Sequence, residues 1–203
     1  MEEYAVGLLD NRAQPPRNVS AKMVRSFPAD KLSEVEALWS PARQEVAIRR
    51  ELDGEPIEHG HWDWKRKTEQ AKNGATLLSA VVMENEVQGL IGVSAKPRSS
   101  VLHPGKDALY VDYLEVAPWN LGVGGAKPRH SGAGTLLMVE AVLLSEARQM
   151  GGRVGLHSLS QAESFYVSRR MTRLGSDPDY YDLAYFEYYE AVAMELLARA
   201  RKK

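Results

Sequence analysis

Arg129-His130-Ser131-Gly132-Ala133-Gly134-Thr135 joins two segments of opposite character. Before it, Ala108 to Ala117 is rich in β-branched and aromatic residues and is closed by Pro118, the signature of a strand. After it, Leu136 to Met150 is apolar enough to form a buried helix. The heptapeptide is therefore a strand-to-helix turn, and its glycines let the backbone approach a bulky ligand closely. A glycine-rich turn at a helix start directs unpaired N–H groups and the positive end of the helix dipole at one spot, which suits a phosphate or pyrophosphate.

Two common phosphate motifs are excluded. No glycine is followed by Lys-Ser or Lys-Thr, as a Walker A loop requires, and the pair Gly122 and Gly124 lacks its third glycine because Lys127 stands there. ATP hydrolysis and a Rossmann dinucleotide site are both disfavoured.

The remaining pattern, R-x-x-G-x-G at a helix start, resembles the acyl-coenzyme A site of the GCN5-related N-acetyltransferases. The resemblance extends over about residues 75 to 190: Gly152 to His157 reads as the next strand, and Gln161-Ala-Glu-Ser-Phe-Tyr166 is similar to the family's following helix. It implies a mixed α/β fold with a mostly antiparallel central sheet flanked by helices. It further implies an acetyl-CoA-dependent N-acetyltransferase that transfers an acetyl group directly to a primary amine in a ternary complex. The pyrophosphate would lie over the amides of Arg129, His130, Ser131, Gly132, Ala133 and Gly134, with the Thr135 hydroxyl beside it. The pantetheine arm would bond to main chain at Leu114, Glu115 and Val116. Tyr166 would be the general acid that protonates the departing thiolate, for which a phenol is suited by its reference pKa. One departure is plain: residues 119 to 128 lengthen the path from strand to glycine turn, which implies a loop insertion bordering the cofactor or the acceptor pocket, or an inert surface loop.

For the base, strand alternation sets Tyr110, Asp112, Leu114 and Val116 on one face and Val111, Tyr113, Glu115 and Ala117 on the other. Glu115 lies nearer the strand end where the thioester is expected and is preferred, with water as relay; Asp112 is second. Either carboxylate has a structural role as its alternative. His59, His61 and Asp63 do not make a metal site, because on a helix only His59 and Asp63 share a face and no H-E-x-x-H pattern exists. Trp62 and Trp64, with Asp63 between them, are candidates for shaping the acceptor pocket; the neighbouring Lys65-Arg66-Lys67 also admits a buried-Trp helix with a solvated face. A noncatalytic acyl-CoA-binding module, or a protein- or RNA-interaction module on the same fold, is the alternative function.

Composition is consistent with a single soluble domain over residues 1–203 and a cytoplasmic location: 44% of residues are hydrophobic, none of the runs approaches a membrane span, and the amino terminus is acidic and unlike a secretory signal. With no cysteine there is no disulfide, no thiolate metal site and no cysteine acyl-enzyme. A net charge of −1 argues against a large nonspecific nucleic-acid footprint, leaving a small-molecule or protein amine as the expected partner.

Elsewhere, residues 4–9 and 19–26 read as two strands. A helix begins after Pro28 and is broken at Pro41, a second runs from about Glu58 to Lys72, and residues 75–84 and 87–95 form a hairpin turning at Asn85-Glu86. A final helix over about 187–203 carries Tyr189, Val192, Ala193, Leu196, Leu197 and Ala200 on one face, either packed on its own sheet or docked on a second copy in a homodimer.

Overall fold

The structure, a computed structural model, describes residues 2–54, 57–69, 76–122 and 126–200. Strands β1 (Glu3–Asp10) and β2 (Arg17–Arg25) lead to helix α1 (Leu32–Leu52) and the short α2 (Trp64–Glu69). Then come β3 (Thr76–Met83), β4 (Glu86–Ser94), the two-residue β5 (Arg98–Ser99), β6 (Asp107–Val116), β7 (His130–Ser131) and helix α3 (Ala133–Ala147). The chain ends with β8 (Val154–Ser158), α4 (Glu163–Ser168), β9 (Thr172–Asp177), β10 (Leu183–Glu187) and α5 (Glu190–Ala200).

Two compact units are formed, Met1–Ile91 with Leu114–Leu137, and Gly92–Tyr113 with Met138–Lys203. In the first, the strand order is β7-β1-β2-β3-β4. β1 and β2 pair antiparallel in continuous register from Glu3 opposite Val24 to Asp10 opposite Arg17. β4 is a nearly continuous apolar run, Val87, Leu90, Ile91 and Val93 all buried, as expected of a strand covered on both faces. In the second unit the order is β6-β8-β10-β9, with β5 on β6. β6 and β8 are parallel, Tyr110 opposite Gly155, and the connection between them runs through α3, because parallel neighbours need a crossover. The mixed, mostly antiparallel sheet with flanking helices is the fold class expected from the sequence.

Several elements differ from expectation. α1 passes through Pro41 without a break. Val35 and Trp39 before the proline and Arg43 after it are buried on one face, and that anchoring outweighs the one backbone bond a proline removes. The second helix is shorter than predicted and starts at Trp64, because Asp63 caps it through Oδ1, which accepts from Arg66 N at 2.8 Å. Its predicted extension over residues 70–72 lies outside the described residues. The last helix starts at Glu190 rather than 187, since Glu187 ends β10. Residues 201–203 of its predicted end are likewise outside the description. Ala193 and Leu197 are buried within the chain, and α5 comes so close to Gly152 that a Cβ there would lie 3.1 Å from Ala193 Cβ. The apolar stripe thus packs against its own unit, while Tyr189, predicted on that stripe, is exposed.

Candidate active site

The glycine turn opens α3. Gly132 has φ +108°, a conformation that favours glycine, and its carbonyl accepts from Leu136 N at 3.0 Å, so it caps the helix. The amides of Ala133, Gly134 and Thr135 occupy the first turn, where helix geometry supplies no acceptor. Gly132 is exposed, and a Cβ added there would meet only Leu8 Cδ2, at 3.8 Å. The turn is therefore open at Gly132, while Ala133 and Gly134 behind it are buried, and its free amides suit an anion. Its height above the sheet is set by Gly89 on β4, where a Cβ would lie 3.0 Å from Leu137 Cδ1 and 3.6 Å from Ala133 Cβ. A side chain at Gly89 would require Leu137 to give way.

The first residues of the predicted cradle are spent otherwise. Arg129 N donates to Trp119 O at 3.0 Å, and His130 N donates to Asn120 Oδ1 at 2.9 Å, so these two amides are not offered to a ligand. The Arg129 guanidinium lies 5.5 Å from the Trp119 ring centroid. Ser131 Oγ accepts from Asn11 Nδ2 at 2.8 Å, and its own proton is left to donate.

The His130 side chain is buried and turned away from the cradle. A guanidinium can only donate, so Arg12 Nη2, 3.0 Å away, fixes His130 Nε2 as acceptor and leaves the ring proton on Nδ1, which donates to Gln88 Oε1 at 3.1 Å. Burial, then the Arg12 charge, holds this histidine below its ordinary pKa and keeps it neutral. Gln88 Oε1 also accepts from Trp119 Nε1 at 3.1 Å and Asn120 Nδ2 at 3.0 Å. One amide on β4 therefore ties both ends of the inserted loop to the floor of the turn.

Glu115 is buried and bonded on both oxygens. Oε1 accepts from Arg43 Nε at 2.9 Å, and Oε2 accepts from Trp64 Nε1 at 2.7 Å and Arg43 Nη2 at 3.3 Å. Arg43 also donates to Glu36 at 3.2 Å and to the Trp62 carbonyl at 2.7 Å, and Glu36 Oε1 accepts from Trp64 N at 2.8 Å. Burial raises the Glu115 pKa, against the Arg43 and Trp64 bonds and with the Glu36 charge. A carboxylate above its usual range suits a base, yet its bonds also make it the keystone of α1 and α2.

The predicted pair of pocket tryptophans is split by the structure. Trp64 is fully buried, with its N–H donated to Glu115. Trp62 is half-buried, with the Lys67 ammonium 4.1 Å from its ring centroid and His59 edge-on at 5.6 Å. Burial first, then Arg43, lowers the His59 pKa to about 4. Among the described residues no group of three or more His, Asp or Glu side chains is arranged to hold a metal ion.

The architecture matches solved structures across most of the chain. An acetyltransferase of the GNAT family from Listeria monocytogenes 4b F2365 superposes with TM-score 0.51 at 10% identity, covering 84% of this chain and 95% of that one. The fold is that of the GCN5-related N-acetyltransferases. The same fold is seen in PaiA N-acetyltransferase from Thermoplasma acidophilum in complex with coenzyme A, with TM-score 0.52, 15% identity and coverage of 83% and 98%. The GNAT domain of S. lividans PAT matches with TM-score 0.51, 14% identity and coverage of 92% and 96%. No family model and no curated protein matches the sequence.

On this GCN5-related fold, the remaining predicted residues fall as follows. Asp112 lies half-buried on β6, three residues before Glu115. Tyr166, in the second unit, is buried on α4 beside Phe165 and Phe186 at centroid distances of 5.2 and 5.7 Å, and burial raises its pKa. His157 is half-buried in a separate relay: Nε2 donates to Asp177 Oδ2 at 3.0 Å, Nδ1 accepts from Tyr110 OH at 2.7 Å, and Tyr180 stacks on its ring at 4.0 Å. Sequence reasoning missed Gln88, Asn120, Arg43 and Glu36. Two signals were available: a lone glutamine inside the apolar strand β4, and an arginine four residues after Trp39 on the buried face of α1.

Proposed function

We propose that the protein is an acetyl-CoA-dependent N-acetyltransferase that transfers an acetyl group directly to a primary amine, on a single acyltransferase domain. The observation that supports this reading is the glycine turn from Gly132 to Thr135, exposed at Gly132 and with first-turn amides at the start of α3, on a fold shared with an N-acetyltransferase in complex with coenzyme A. The amides of Ala133, Gly134 and Thr135 would hold the pyrophosphate, with Arg129 and the Ser131 hydroxyl adding charge and a donor. Main chain at Leu114, Glu115 and Val116 would hold the pantetheine arm. When bound, acetyl-CoA supplies an activated thioester. Tyr166 is assigned the proton delivered to the departing thiolate, and Glu115, with Asp112 second, the proton released by the amine. With no cysteine in the chain, a cysteine-bound acyl intermediate has no carrier.

Acetyl-CoA at a hundredfold excess over its dissociation constant is expected to stabilise the fold by about 2 to 3 kcal/mol. Replacing Gly134 with a bulky residue should abolish that protection. Release of free thiol with a panel of amines separates an enzyme from a binder. Protection that survives loss of Gly134 would move the cofactor elsewhere, and protection without thiol release across the panel would favour the noncatalytic module.

A further inference from the structure

Arg98 is a cation without a counterion. It lies on β5 opposite Ala108 of β6, and its half-buried side chain makes no hydrogen bond or ion pair among the described residues, although Nη1 is fully buried. Charged groups taken out of water are normally paired. The carboxylates of the adjoining elements are already committed. Asp177 Oδ2 accepts from His157 Nε2 and Oδ1 from Asp179 N, both at 3.0 Å. Glu187 accepts from Ser100 Oγ, from Val101 N at 2.9 Å and from Tyr185 OH at 3.2 Å. What holds the guanidinium is aromatic. Its Cζ is 4.6 Å from the Tyr110 ring centroid and 4.6 Å from that of Tyr180, and the two centroids are 6.2 Å apart at 60°, so the rings make a corner rather than a sandwich. Each wall is itself fixed: Tyr110 OH donates to His157 Nδ1 at 2.7 Å, and Tyr180 lies flat on the His157 ring at 4.0 Å. The arginine is therefore ordered before any ligand arrives, and a ligand bonding to it meets little further ordering cost.

We propose that this corner is a binding site for a monocarboxylate carried on an apolar or aromatic body, with Arg98 as its ionic anchor. A planar guanidinium offers two parallel N–H groups to the two oxygens of a carboxylate. The rings of Tyr110, His157 and Tyr180 supply apolar surface for the rest of the molecule. A single negative charge is favoured over a dianion such as phosphate, because Asp177, Asp179 and Asp182, on the segment that carries Tyr180, repel the second charge.

Binding here needs neither acetyl-CoA nor an acceptor amine, so the full chain is titrated without either. Benzoate is added at fixed ionic strength, and the backbone amide and arginine Nε–H resonances are followed by NMR. Saturable shifts are expected at Arg98, Ser99 and Tyr110, with a dissociation constant on the order of 1 mM. Benzamide, which is uncharged but similar in shape, and inorganic phosphate should each bind at least about tenfold more weakly. Arg98→Gln should lose the benzoate response with the rest of the spectrum unchanged, since the guanidinium bonds to no partner in the native chain. Arg98→Lys keeps a charge over the rings and loses the planar fork; it guards against a folding effect and should bind about tenfold more weakly than the native chain. Shifts that do not saturate, equal binding of benzamide or phosphate, or a benzoate response undiminished in either variant would overturn the site.

Discussion

Replacing Arg43 with methionine keeps the length of the side chain and removes its charge, which isolates what the guanidinium does. In the native chain its side chain is 2% exposed and bridges Glu115, 3% exposed, and Glu36, 12% exposed. Arg43→Met leaves two carboxylates on the buried side of α1 without their shared cation. Breaking a buried ion pair from one side costs about 3 to 5 kcal/mol, because the remaining charge keeps its desolvation penalty. For a chain of this length that corresponds to a fall in Tm of roughly 6 to 20 °C. Urea melts should show the midpoint falling with an unchanged slope. The deficit should also depend on pH. Without Arg43, Glu115 is pushed further above its ordinary pKa; a raised carboxyl pKa gives stability that is present at low pH and lost as pH rises through it, so the variant should lose more at pH 8 than at pH 5. Pairing Arg43→Met with Glu115→Gln should cost less than the two singles together by about 1 to 3 kcal/mol. A loss below about 1 kcal/mol with no pH dependence would show that water reaches these carboxylates and that the network is not the support of α1 and α2 described above.

His59, with its pKa lowered to about 4, makes the unfolded chain bind the proton first; stability should fall by about 3 kcal/mol as pH drops from 6.5 to 4, and His59→Asn should remove that part of the acid sensitivity in melts taken across the window. Gln88→Leu strips the acceptor from Trp119, Asn120 and His130 at once, and should cost on the order of 2 to 3 kcal/mol and speed amide exchange around Asn120 and His130; unchanged exchange would refute the knot. Gly152→Ala, at φ +74° with Met194 Cε 2.7 Å from the new Cβ, should lower the melting temperature, and a neutral result would mean α5 is not tightly seated. Tyr166→Phe should leave acetyl-CoA protection intact while turnover falls by ~10² to 10⁴; near-full turnover with chemistry rate-limiting would return Tyr166 to a packing role.

The parts of the fold that were legible are those written in neighbouring residues. The strand over β6, the glycine turn and α3 follow one another within about forty positions, and each is specified by its own periodicity and punctuation. The hairpin was likewise visible in its Asn, but the turn falls at Glu84-Asn85, both with positive φ, one residue before the expected Asn85-Glu86, because Glu86 already begins β4. What stayed hidden joins distant positions: Arg43 meets Glu115 across 72 residues, His130 meets Gln88 across 42, and Arg12 meets His130 across 118. No local pattern reports such a partner, so the sequence left Trp64 open between a pocket-shaping residue and a buried one, and its bond to Glu115 could not be read from it. Pro41 was over-read for the related reason that burial on both sides of it is a tertiary effect. The β9–β10 hairpin was missed because its strands are mixed in polarity and its turn relies on Tyr181 and Asp182 in left-handed backbone rather than on glycine.

The bonds that close residues 119–129 have a consequence for how such a protein can change. Arg129 N to Trp119 O, His130 N to Asn120 Oδ1, and Asn11 Nδ2 to Pro128 O form a collar at the neck of the loop, so whatever is strung between its ends enters and leaves at fixed points. Length and composition above that collar are insulated from the register of α3. Substitutions beyond that neck can accumulate without touching the three bonds that hold it, or the start of α3 below.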